Sequence, residues 1–226
     1  MRYERMLEGK FLARPNRFIA EVEIDGNIEI CHVKNTGRCK ELLIPGVRVL
    51  VQKAENPERK TLYDLISVWK NGRLINMDSQ APNQVFLEWV KEEKYFQHIS
   101  LLKPECKYKN SRFDVYLEAD GKKHFVEVKG VTLEEDGVLM FPDAPTQRGA
   151  KHIKELIDAV SEGYGGHIFF VAQMEACKYF TPNRKTHQEF AEVLKEAKEK
   201  GVSVQCVNCR VAEDELKILD FVDVVL

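Results

Sequence analysis

Three residues in the middle of the chain have types and spacing suited to metal-assisted chemistry: Asp114, Glu127 and Lys129. Between the two acids lies Asp120-Gly121, a strong two-residue hairpin signal because a type I′ turn needs positive φ at both central positions. With the turn there, Ala119 faces Lys122 and Asp114 falls opposite Glu127, with Cβ atoms about 4.5–5.5 Å apart. Strand alternation then puts Arg112, Asp114, Tyr116, Phe125, Glu127 and Lys129 on one face. Phe113, Val115, Leu117, Val126 and Val128 form an apolar face on the other side. Two adjacent carboxylates repel, and a hard divalent cation removes that cost. Mg²⁺ typically takes one or two carboxylates, with waters and a substrate phosphate completing its shell. Lys129, on the same side, suits orienting an attacking water or neutralising charge on a phosphate. The same register sets Arg112 opposite Lys129, so a surface charge cluster with diagonal ion pairs fits equally well. The residues alone leave both arrangements open.

The elements that must carry this hairpin read as a mixed α/β unit. After Pro82 the apolar spacing changes to that of a helix over about 83–96. Strands follow at 112–118 and 124–131, then a helix at 146–162 with Ile153, Leu156, Ile157 and Val160 as its apolar stripe. Strand 167–173, helix 187–200 and strand 202–207 complete an α/β sheet domain over 81–226. Residues 1–80 differ. Strands at 19–24, 28–33, 47–51, 62–69 and 73–77 are joined by turns such as Asp25-Gly26-Asn27 and Asn71-Gly72. Five short strands without a helix predict a small OB-like β-barrel.

Several further residues each have two readings. Asp143 suits the N-cap of a helix with Pro145 in its first turn, and it also suits a metal ligand following the E-x-K strand. Arg148 and His152 are four apart on the helix flank away from Ile153 and Leu156. There they would meet a phosphate or stay solvated. Gln173 either caps a strand end or faces the cleft. Glu88 and Glu93, on the entering helix, are solvated or lend a carboxylate. Asn35-Thr36-Gly37-Arg38 and Arg59-Lys60 are basic loops suited to phosphate contact or to plain exposure. Aromatic residues for base stacking are sparse in the first domain (Phe18, Tyr63 and Trp69).

Composition is that of an ordinary globular protein: 226 residues, 44% hydrophobic and 31% charged. No apolar stretch has the length of a membrane span, and the N-terminus lacks the apolar region of a secretory signal. A cytoplasmic protein with reduced thiols is therefore expected. Cys206-x-x-Cys209 lacks a second pair or a His at zinc-site spacing, and residues packed near a strand end are the favoured reading. The net charge of −2 divides into +3 over residues 1–80 and −5 beyond, a mild basic bias on the barrel that suits a polyanion.

Longer words surround the acid–lysine triad. His32-Val33-Lys34-Asn35-Thr36-Gly37-Arg38, Ser111-Arg112-Phe113-Asp114, Val126-Glu127-Val128-Lys129 and the run from Phe141-Pro142-Asp143 to Lys151-His152 occur in that order. Asp114 with Glu127-Val128-Lys129 is similar to the signature of the PD-(D/E)xK nuclease superfamily. The whole series resembles the sugar fermentation stimulation protein A (SfsA) family along nearly the entire chain. That resemblance implies an OB-like domain followed by a nuclease-like domain, and DNA binding with little sequence specificity. It implies Asp114, Glu127 and Lys129 as catalytic positions, with Asp114, Glu127 and Asp143 toward Mg²⁺ or Mn²⁺. Asn35, Arg38, Arg112, Arg148 and His152 are then the expected DNA contacts.

One segment departs from the pattern. An Asp-containing word is expected before the last long helix, and this chain reads Arg184-Lys185-Thr186-His187, leaving Thr186 as the expected cap. Two functions follow from the resemblance: phosphodiester hydrolysis, or a non-catalytic DNA-binding regulator of sugar metabolism genes. An intact charged triad favours hydrolysis, because bare carboxylates facing phosphate weaken binding. A sugar-pathway enzyme or sugar-binding protein draws support only from the family name. No phosphate-binding glycine loop or nucleophile elbow is present.

Overall fold

The computed structural model describes residues 1–226 apart from Thr36, Glu93 and Lys94, so the expectations for those three positions lie outside the described residues. The described residues form two sheets and three helices.

The first sheet contains β1 (Met6–Asn16), β2 (Ile19–Ile24), β3 (Asn27–Val33), β4 (Arg48–Lys53), β5 (Tyr63–Lys70) and β6 (Arg73–Asn76). Its order is β3-β2-β1-β4-β5-β6, and a parallel pairing of β3 with β5 closes five strands into an OB-like barrel. The sequence reading missed β1. Its charged residues mask an eleven-residue strand that bends through register shifts at Phe11–Ala13 and Ala13–Asn16, which lets it pair with both β2 and β4. The Asp25-Gly26 and Asn71-Gly72 turns have positive φ at both residues, as does Asp120-Gly121 in the second domain.

The second sheet follows α1 (Ala81–Val90). Its strands are β7 (Leu101–Tyr108), β8 (Ser111–Ala119), β9 (Lys122–Val131), β10 (Leu133–Glu135), β11 (Val138–Phe141), β12 (Gly165–Ala172), β13 (Tyr179–Pro182), β14 (Ser203–Val211) and β15 (Leu216–Val224). The helices α2 (Gln147–Ser161) and α3 (Gln188–Glu199) lie between them. Strand order is β10-β11-β13-β15-β14-β12-β9-β8-β7, with β9 parallel to β12 and antiparallel to β8. One face packs on α1 through Phe86, Trp89, Val115, Val126 and Phe169. The other packs on α2 and α3 through Phe125, Ile153, Leu156, Phe170 and Phe190. This is the expected mixed α/β domain, with α1 shorter than the sequence periodicity predicts.

Residues 1–3 join the second sheet rather than the barrel: Arg2 bridges Glu215, and Tyr3 N–H donates to the Asp214 carbonyl at 2.8 Å. The two domains meet along a polar seam. Gln173 Nε2 donates to Asn76 Oδ1 at 2.7 Å and to the Asp78 carbonyl at 2.9 Å, and all three residues are buried. Among the described residues no helix is long and apolar enough to cross a membrane.

Candidate active site

The β8–β9 hairpin keeps the expected register from Ala119↔Lys122 to Val115↔Val126. One step further it changes. Phe113 does not share the face of Val115; it packs 5.3 Å from Phe125, on the α2 side. Alternation therefore breaks between 113 and 115, opposite Glu105 of β7, whose φ is +52°. As a result Asp114 does not simply face Glu127. Its Oδ2 accepts from Val128 N–H at 2.8 Å, and its Oδ1 accepts from Asn83 Nδ2 on α1 at 3.0 Å.

Glu127 lies on the α2 side of β9 and is 1% exposed. Its Oε1 is bound by Lys129 Nζ and by His152 Nδ1, the latter at 2.6 Å. Arg148 Nε–H points at His152 Nε2 at 3.4 Å, which makes Nε2 the acceptor and Nδ1 the nitrogen that carries the proton toward Glu127. The remaining oxygen, Glu127 Oε2, is buried and has no hydrogen-bond partner among the described residues.

Electrostatics separate the two acids. Burial pushes the Asp114 carboxyl above the ordinary carboxylate range and the Glu127 charge adds to the rise, only partly offset by Lys129, Val128 N–H and Asn83. Burial raises Glu127 as well, but His152 and Lys129 outweigh it and hold this carboxyl below its usual range.

The other expected residues fall in several places. His152 is buried against Glu127, not on an outward flank, because α2 turns that edge onto β9. Arg148 is exposed beside it. Arg112 points away, pairing with Glu105 at 3.1 Å and in register with Lys107 rather than Lys129. Asp143 does not cap α2, whose N-cap is Thr146 through a 3.0 Å bond from Gly149 N–H. Its Oδ2 instead accepts from Arg38 N–H of the barrel at 3.0 Å, beside Gly37 and Asn35. Thr186 does not cap α3; His187 occupies that position without a side-chain cap bond. Gln173 locks the domain seam, Glu88 pairs with the Met1 amine, and Arg59 is held by Asp64. Cys206 and Cys209 are buried in the cores on opposite faces of β14.

Sequence reasoning missed Asn83. It lies 31 residues before Asp114 in a helix that only tertiary packing brings to the hairpin.

The cation expected from the sequence can be tested against these donors. Among the described residues no group of three or more His, Cys, Asp and Glu side chains is placed to hold a metal ion, and Asp143 accepts from Arg38 N–H of the barrel loop. Asp114 lies near enough to Glu127 for the two charges to interact, and Glu127 Oε2 is a buried oxygen without a partner among the described residues. Two carboxylates with an open oxygen match what Mg²⁺ takes from a protein. The donor set fits.

An OB-like barrel joined to a mixed α/β domain with a D…E-x-K constellation on its β8–β9 hairpin defines the class of this protein. Family models match both parts: "SfsA N-terminal OB domain" over residues 12–77 and "Sugar fermentation stimulation protein RE domain" over residues 80–215. The chain belongs to the sugar fermentation stimulation protein family. It is 58% identical to the sugar fermentation stimulation protein homolog of Clostridium beijerinckii, over all of both chains. It is 59% identical to that of Desulfitobacterium hafniense, over all of this chain and 99% of the relative. Among solved structures it is similar to Pyrococcus furiosus SfsA in complex with Ca²⁺, with a TM-score of 0.91 and 29% identity over 100% of this chain and 98% of that one.

Proposed function

We propose that this protein binds DNA and hydrolyses phosphodiesters at Asp114, Glu127 and Lys129 with a bound Mg²⁺ or Mn²⁺. The observation that carries the reading is the buried, unpartnered Glu127 Oε2 beside Asp114, because leaving such an oxygen unsatisfied costs about 1–3 kcal/mol unless something binds it. The solved relative with Ca²⁺ supports a divalent ion in this fold.

Asp114 and Glu127 would hold the ion. When bound, such an ion supplies Lewis-acid polarisation of a phosphoryl oxygen and a nucleophile at neutral pH. The chain's own residues set the geometry. Val128 N–H and Asn83 fix the Asp114 carboxylate, and His152 fixes that of Glu127. Lys129 Nζ neutralises Glu127 in the resting site and, released from it, would donate to the attacking water or to a non-bridging phosphate oxygen. Exposed Arg148, held toward His152, would meet the adjacent phosphate.

The test incubates supercoiled and linear DNA with and without Mg²⁺ or Mn²⁺, beside Glu127→Ala and Lys129→Ala. Metal-dependent cutting that both variants lose supports hydrolysis. Binding without cutting in every lane refutes it; tighter binding by Glu127→Ala would then fit a metal-free regulator.

A further inference from the structure

Seven of the twelve arginines form ion pairs with carboxylates. Among the described residues the other five, Arg14, Arg17, Arg38, Arg148 and Arg184, have none, and they are not scattered. Arg148 touches His152 of the site. The remaining four line a run of connected clefts along the domain seam. A cleft of about 340 Å³ on the barrel is lined by Arg14, Arg17, Arg38 and Lys40. Arg38 and Lys40 also line the next cleft, of about 500 Å³, whose far wall carries Arg184 and Lys185. That cleft shares Leu133, Met140 and Asp143 with a third, of about 180 Å³, which reaches Gly130 next to Lys129.

Both walls are built to hold their cations outward. The two Nη atoms of Arg14 shape the barrel loop, donating to the carbonyls of Arg17, Asn35, Gly37 and Arg38 at 2.7–3.0 Å, while its Nε–H is buried without a partner among the described residues. Across the seam, Asn183 pins the turn that carries Arg184 and Lys185. Its N–H donates to the Phe141 carbonyl at 2.8 Å and its Nδ2 to the Pro142 carbonyl at 3.1 Å. Arg38, Lys40, Arg184 and Lys185 are exposed and lack carboxylate partners among the described residues. Glu41, Glu135 and Asp143 line the middle cleft too, and Asp143 already accepts from Arg38 N–H. At the outer end Phe18 is 44% exposed, with the Arg17 guanidinium 4.8 Å from its ring centroid.

We propose that this seam is the track of a single-stranded polynucleotide, with phosphates on Arg38, Lys40, Arg184 and Lys185 and a base on the Phe18–Arg17 platform. The track leads past Gly130 to the Asp114–Glu127–Lys129 site, and the inference rests on the polynucleotide reading given above. The exposed ring selects a single strand, because a duplex has no unstacked base to lay on Phe18. Arg14 is a positioning residue here, since its Nη donors are already used and its Nε–H is buried away from the cleft.

The test measures anisotropy of a labelled oligothymidylate of about 16 nucleotides, the upper range for one OB barrel, and of a duplex of equal length. EDTA is present to stop turnover. Arg184→Glu/Lys185→Glu and Arg38→Glu should each weaken single-strand binding more than tenfold, and the salt slope should fall by about 0.7 per cation removed. Phe18→Ala should weaken it about tenfold. A matched reversal on the exposed face of α3, Lys195→Glu/Lys198→Glu, should change it less than twofold. All of these positions are exposed, and thermal melts of each variant check that the fold is kept. Equal affinities for track and control reversals would overturn the track and leave the hydrolytic reading standing. Duplex binding as tight as single-strand binding, unchanged by Phe18→Ala, would overturn the single-strand assignment. Wild-type protein that binds neither would overturn the polynucleotide reading and the track with it.

Discussion

Gly130 is where the domain seam presses hardest on the site. It follows Lys129 in β9, and a Cβ placed there would lie 2.6 Å from Gln173 Oε1 and 2.7 Å from Pro82 Cγ. Both distances are far inside ordinary contact. Neither neighbour moves freely: Gln173 is buried and its Nε2 serves both Asn76 Oδ1 and the Asp78 carbonyl, while Pro82 is in the first turn of α1. Gly130→Ala therefore either overpacks the seam, at about 1–3 kcal/mol, or drives Gln173 away and leaves buried acceptors unsatisfied, at about 1–3 kcal/mol for each. A loss of about 3 kcal/mol is expected, lowering Tm by about 6–12 °C in a chain of this size. Because the residue adjoins Lys129, the displacement should also reduce the proposed metal-dependent cleavage beyond what the lost stability explains. Urea unfolding of Gly130→Ala, Gln173→Ala and the double variant measures the coupling. Truncating Gln173 removes the closest clash, so the double variant should be more stable than the sum of the singles by at least about 1 kcal/mol. Additivity within about 0.5 kcal/mol, or Gly130→Ala with wild-type stability, would refute the close-approach argument.

Acid lability should come partly from the imidazole pair at the far end of the hairpin. His124 Nδ1 and His167 Nε2 are 3.0 Å apart, and burial, with His124 beside it, pushes His167 down to about 3. A folded value below the unfolded one makes unfolding take up a proton, so stability is full above about 6.5 and declines as pH falls toward 3, by up to about 2 kcal/mol at pH 5. His167→Phe, beside Phe96 and Tyr95, should flatten the urea-derived slope between pH 7 and 5; an unchanged slope would remove His167 as the source. Thr146→Ala loses the side-chain bond to Gly149 N–H and should cost about 1 kcal/mol in denaturant titration. Asp64→Asn weakens the charged bonds to Arg59 and Lys34 and, at a buried position, should destabilise the barrel by about 1–3 kcal/mol in the same assay.

Much of the candidate site was legible in local rules. Asp120-Gly121 determined the turn, the turn determined the register, and the register brought Asp114 and Glu127 to the same end of one hairpin, because pairing in a two-residue hairpin follows from the turn type. Alternating apolar residues likewise marked both domains and nine of the fifteen strands among the described residues, while β1, β7, β10, β11, β13 and β15 went unread because they are charged, short or at sheet edges. Local rules fail where a residue's partner is distant in sequence. Phe113 turns to the α2 side because the break in β8 is set by strand β7 beside it, not by its own neighbours. His152 looked outward by helical spacing, yet α2 docks on β9 and buries it on Glu127, twenty-five residues away. Asn83 reached Asp114 only through the packing of α1, and Asp143 took a backbone N–H from the barrel loop instead of a helix end. The sequence by itself determined which chemical groups the hairpin carries. The tertiary structure decided which of them are buried, which are paired and which oxygen remains open, since burial and partners are properties of packed neighbours and not of spacing along the chain.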